Sequence, residues 1–193
     1  MSDLQKLAIK LFAEPGTSPA LPEFIPVFHR WIQTGPVEDL LIDVADYSHV
    51  EAGPGILLVA HEGNYAVDMA GGRMGLLYSR KQPFEGSLVE RLTAVTRAAL
   101  RACRLLEEAP ELEGRIRFRG DEMLIVANDR LRAPNTDETL AELRGALGEF
   151  FARVYGGMAV SLEREADPKE RFSVTARVGH ESGIEPLLRR LSE

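Results

Sequence analysis

The sequence predicts an α+β fold: a mainly antiparallel sheet built from hairpins, with two long amphipathic helices packed on one face. Three observations carry this. Pairs of short apolar runs are separated by turn residues rather than by helices, as at LLIDVADY (40–47) and ILLVAH (56–61). Two stretches, 87–108 and about 136–154, repeat apolar residues at helical spacing. Strands joined by tight turns pair antiparallel, and amphipathic helices need a sheet face to bury against.

Taken in order, Ser2 and Asp3 before Leu4, Leu7, Ala8 and Leu11 predict a short helix at about 3–13. EPGTSPALPE (14–23) holds three prolines and is a loop. FIPVFHRWIQ (24–33) fits a helix with Pro26 in its first turn, and nearly as well a strand. Residues 40–47 read as a strand with Leu41, Asp43, Ala45 and Tyr47 on one face and Leu40, Ile42, Val44 and Asp46 on the other. SHVEAGPG (48–55) turns the chain into ILLVAH, giving an antiparallel hairpin. GRMGLLYSRK (72–81) is a third strand. Ser87 and Glu90 form an S-x-x-E capping box, followed by a stripe of Leu88, Leu92, Val95, Ala99, Cys103 and Leu106.

RIRFRGDEMLIVANDR (115–130) reads as a second hairpin turning near Gly120-Asp121. The second helix buries Leu140, Leu143, Leu147, Phe150, Phe151 and Val154 and ends at Gly156-Gly157. MAVSLERE and RFSVTARV make a third hairpin around Asp167-Pro168, and IEPLLRRLSE is a short tail helix. Segments 56–60 and 124–127 are expected as neighbouring interior strands. The reading is a single domain over 1–193, with 1–23 a short helix plus a proline-rich loop.

Composition narrows function. The 193 residues are 45% hydrophobic and 27% charged, ordinary for a globular protein. No apolar run approaches the roughly 20 residues that cross a bilayer, and the first residues lack the pattern of a signal peptide. The net charge of −7 disfavours nucleic acid. Cys103 stands alone, so no internal disulfide forms, which fits a reducing cytoplasm.

Candidate ligand-binding residues are the polar groups that end the two apolar runs: His61, Glu62 and Asn64 in one, Asn128, Asp129 and Arg130 in the other. An Asp beside an Arg can orient a carboxylate or phosphate through the planar guanidinium fork. His49 and His61 are candidate metal ligands, with Asp43, Asp46 and Glu62 nearby. The plainer account makes these residues turns, caps and surface ion pairs. Arg115, Arg117 and Arg119 alternate on one segment, and Arg97, Arg101 and Arg104 share the polar side of the first long helix. Either stripe suits an acidic partner, though both also fit a solvated face. Cys103 sits on the apolar stripe, where cysteine acts as a small hydrophobe. No G-x-S-x-G, phosphate-binding glycine loop or zinc pattern occurs.

VFHRWIQ, LLIDVADYSHV, GPGILLVAHEGNY and IVANDRLRAPN resemble an uncharacterised bacterial protein family of about this length with no assigned activity. The resemblance implies a bacterial, cytoplasmic, single-domain protein and no residue roles. The leading expectation is a cytoplasmic binding or protein-interaction module, self-associating as a homodimer and non-catalytic. The alternatives are a small metal-assisted hydrolase at the ends of the buried strands, and an adaptor for an acidic or phosphorylated partner. Any cofactor is unknown from the sequence.

Overall fold

The computed structural model describes residues 4–50, 53–180 and 183–192. Among them are eight strands and four α-helices, the strands forming one antiparallel sheet. In chain order these are β1 (Leu7–Ala13), α1 (Phe24–Thr34), β2 (Leu41–Tyr47), β3 (Gly55–Ala60), β4 (Gly63–Asp68), β5 (Gly75–Arg80) and α2 (Leu88–Glu107). They continue as β6 (Phe118–Ala127), α3 (Asp137–Tyr155), β7 (Val160–Arg164), β8 (Ser173–Val178) and α4 (Glu185–Ser192). The strand order is β2-β3-β4-β5-β1-β6-β8-β7.

The expected helix at 3–13 is instead β1, lying between β5 and β6. A central strand is covered on both faces, so its apolar residues need not alternate. Leu4, Leu7, Ala8 and Leu11 therefore match a helical spacing by coincidence. Lys10 remains in this strand because its ammonium meets Asp68 Oδ1 at 2.6 Å. Ser2 and Asp3, the expected start of that helix, lie outside the described residues, as do Glu51 and Ala52 of the 48–55 turn and Glu193 of the tail.

Pro26 does sit in the first turn of α1, where its missing N–H costs nothing. Gly35 ends α1 in the left-handed conformation that glycine adopts freely, φ 58°, and turns the chain into segment 36–40. The β2–β3 hairpin forms as expected, but a bulge between Leu41 and Asp43 resets the faces. Leu41 and Val44 oppose Ala60 and Leu58, so they share a side.

Residues 61–62 are a tight turn into β4, a strand the sequence pattern does not reveal because Gly63, Asn64 and Asp68 interrupt it. The expected hairpin at 115–130 is one long strand, β6; Gly120-Asp121 runs straight through it. The Ser87–Glu90 capping box of α2 is present, as are Gly156 at the end of α3 and the β7–β8 hairpin.

Segments 56–60 and 124–127 are both interior but not adjacent: β4, β5 and β1 separate them. Four strand spacings of about 4.8 Å put them roughly 19 Å apart. Trp31 of α1 meets the Tyr65 ring edge-on, and Tyr65 packs on Tyr78 at 4.6 Å between centroids. α1 packs chiefly on β2 and β3, with Trp31 reaching Tyr65 on β4. A single hydrophobic cluster runs from Leu4 to Leu191.

Candidate functional site

The two groups of sequence candidates do not converge. His61 and Glu62 form the β3–β4 turn, and Asn128 to Arg130 follow β6 across the intervening strands. His49 lies beyond the other end of β3, about 20 Å of strand away from His61. Among the described residues, no group of three or more His, Cys, Asp or Glu could hold a metal ion. Asn64 Oδ1 accepts the Ala60 N–H, and Asn128 Oδ1 accepts from Arg171. Asp129 caps its own loop through the N–H groups of Leu131 and Arg132, while Arg130 is exposed. The thiol of Cys103 is buried, which pushes its pKa up and suits packing rather than nucleophilic attack.

The His61–Glu62 turn has a clear local task. His61 N–H donates to Leu40 O, and Glu62 Oε2 accepts Leu40 N–H at 2.9 Å. The Glu62 carbonyl also accepts from Lys81 and Gln82. The turn therefore pins segment 36–40 against the ends of β3 and β5. The Leu40 N–H is the main cause holding the Glu62 carboxyl below its usual range.

That pinned segment forms one wall of a cavity of about 650 Å³. Tyr65 and Tyr78 contribute from the sheet, Val95, Arg97 and Arg101 from α2, and Arg80 and Phe84 from the end of β5 and the loop after it. The size lies within the range of roughly 300–1,000 Å³ usual for small-molecule sites. Gly63 allows the close packing beneath it: a Cβ there would stand 2.8 Å from both Ser79 O and the Tyr78 ring.

Asp39 is the unusual member of this lining. Its side chain is only 9% exposed, and its nearest cation, Arg80, stands 3.9 Å away. The Tyr65 and Tyr78 hydroxyls hydrogen-bond to its carboxylate, while its Oδ2 is buried without a partner of its own. Burial, then the Asp39 charge, pushes the Tyr65 hydroxyl far above its usual range. Burial raises Tyr78 as well, with Arg80 pulling against it and Asp39 adding to it. Both phenols thus stay neutral and donate to Asp39, keeping their oxygen lone pairs as acceptors.

The opposite side of the cavity is cationic. Arg97 donates Nε to Leu191 O, Arg101 pairs with Glu38, and Arg104 lies near Glu108 and Glu185. With Arg80, four guanidinium groups face two lining carboxylates, Glu38 and Asp39, in a chain whose net charge is −7. The 97–101–104 stripe was visible in the sequence as a polar helix side. Asp39, Tyr65 and Tyr78 were not; the only hint was an acidic pair, Glu38-Asp39, just before a strand.

No family model matches the chain, and neither a curated protein nor a solved structure does.

Proposed function

We propose that this chain is a non-catalytic binding module that takes a small ligand into the cavity over Tyr65 and Tyr78. The observation that carries this reading is Asp39 in the cavity lining, a carboxylate whose side chain is nine-tenths buried and whose nearest cation stands 3.9 Å away. A buried charge without a hydrogen-bonded cation is costly. A ligand donor at the exposed part of that carboxylate offsets the cost. The lining supplies a carboxylate, phenols and guanidinium groups, and no serine, cysteine or histidine is among its described residues. That set suits recognition better than nucleophilic attack.

The test is an NMR titration with a mixed fragment library on the wild type and on Ala98→Trp, which fills the cavity from α2. The expected result is saturable shifts confined to 35–39, Tyr65, Tyr78 and 94–105, lost in the variant. Shifts elsewhere, or unchanged binding in Ala98→Trp, reject the site.

The same reading takes α2 and α3 to lie on one sheet face, supported by the packing of α2 on β1 and β5 and of α3 on α2 and α4. It keeps a bacterial cytoplasmic setting, which the lone reduced thiol supports; among the described residues no helix is long and apolar enough to cross a membrane. The adaptor alternative draws less support, since Arg115 pairs with Glu23, Arg119 with Asp121, and Arg117 with backbone carbonyls.

Homodimerisation through β2 is a second reading, favoured by one observation. β2 is an open sheet edge with Ile42 and Tyr47 exposed on it and Leu40 exposed just before it. An antiparallel edge can pair with its own copy about a two-fold axis. A register centred on Val44 sets Leu41 against Tyr47 and keeps Asp43 and Asp46 from facing each other. Light scattering is expected to show a dimer that Ile42→Lys dissociates; a strict monomer at every concentration rejects it.

A further inference from the structure

We infer that the cavity's ligand is a small zwitterion, with an ammonium group on Asp39 and a carboxylate at the arginine side. The inference rests on the binding reading above and deepens it by naming the ligand class. Three observations meet here.

Asp39 needs more than a neutral donor. Its side chain is nine-tenths buried, and Arg80 at 3.9 Å approaches it without a hydrogen bond. The two phenols beside it are held neutral, so they cannot balance its charge. A buried carboxylate is costly unless paired with a cation that also donates to it. An ammonium group on the ligand, reaching the Asp39 carboxylate from the cavity, meets both needs.

The other side demands the opposite sign. Arg97 is half-buried and held by one backbone bond through Nε, which leaves its terminal nitrogens outside that contact. Arg101 reaches across to Glu38, and its five N–H donors exceed what one carboxylate takes. Guanidinium forks recognise carboxylates in two-bonded fashion.

Between the poles the wall is apolar: Val37, Val95, Ala98 and Leu105 with the tyrosine and Phe84 rings. The ligand therefore carries its two charges at separate ends of an apolar body. A lone anion satisfies the arginines and leaves Asp39 repelled; a lone cation does the reverse.

The experiment is calorimetric titration with the tripeptide Ala-Leu-Ala in three forms: free at both ends, N-acetylated, and C-amidated. The free form is expected to bind, and each blocked form to bind about tenfold or more weakly, the effect of losing one charge-assisted hydrogen bond. In Asp39→Asn, acetylation no longer matters; in the exposed Arg101→Gln, amidation matters less. Circular dichroism verifies that both variants fold. Equal affinity for free and blocked forms overturns the inference. So does no binding of any tripeptide while library fragments still shift the cavity, and in that case the site stands and only the ligand class falls. If fragments also fail there, the site itself falls.

Discussion

Glu122 and Asp39 are both buried carboxylates, and they sit in opposite electrostatic circumstances. Glu122, 3% exposed, takes two hydrogen bonds from Arg73 at 2.9 and 2.6 Å, one from Arg177 at 3.1 Å, and has Arg119 at 3.5 Å. Asp39 has neutral phenol donors, Tyr65 and Tyr78, and one cation, at 3.9 Å. The Glu122 cluster extends to Lys10, which bonds Asp68 and the Arg73 carbonyl, while Arg73 lies 3.9 Å over the Phe12 ring. The difference teaches how to sort buried charge. A carboxylate whose valences are all met within the chain is part of the fold. One that the same chain buries and leaves incomplete is held for something else.

The largest expected effect comes from the satisfied cluster. Lys10→Met strands Asp68 in the interior and is expected to cost about 3–5 kcal/mol by urea denaturation. A loss below about 1 kcal/mol would mean the pair is hydrated in solution, and the contrast with Asp39 would weaken.

Next is Glu122→Gln, expected to cost about 2–3 kcal/mol at neutral pH through its charged hydrogen bonds. The Arg73 hydrogen bonds, opposed by burial and aided by the Arg73, Arg177 and Arg119 charges, hold the Glu122 carboxyl below its unfolded value. A lowered carboxylate pKa stabilises fully above the unfolded pKa, near 4.3, and that contribution is lost as pH falls through the folded value. The wild type should therefore lose stability below about pH 4.5, and the gap to Glu122→Gln should narrow there. Parallel acid curves would contradict this.

Gly63→Ala sharpens the comparison from the cavity side. The new methyl must displace Tyr78 or Ser79, at roughly 1–3 kcal/mol, and ligand affinity should fall with it. The smallest stability change is expected for Asp39→Asn, within about 1 kcal/mol of wild type, yet with binding reduced at least tenfold. A large loss of stability there would make Asp39 an ordinary structural carboxylate.

What the sequence revealed follows from how local each signal is. α2 declared itself through Ser87, Glu90 and its apolar stripe, and the β7–β8 hairpin through Asp167-Pro168. β1 hid because a strand buried on both faces loses its alternation, and β4 because Asn64 and Asp68 break its apolar run. The cavity was legible only in part. Arg97, Arg101 and Arg104 share a helix side by spacing alone, whereas Asp39 reaches them only because Glu62, 22 residues from Leu40, pins the segment in place. His61 and Glu62 were flagged for chemistry; they brace the wall of a site rather than line it.

The most direct test follows the side-chain carboxyl carbons of Asp39 and Glu122 by carbon-detected NMR while the free tripeptide is added. The account predicts a saturable shift at Asp39 and none at Glu122. A silent Asp39 carboxyl under a ligand that shifts the rest of the cavity would contradict it.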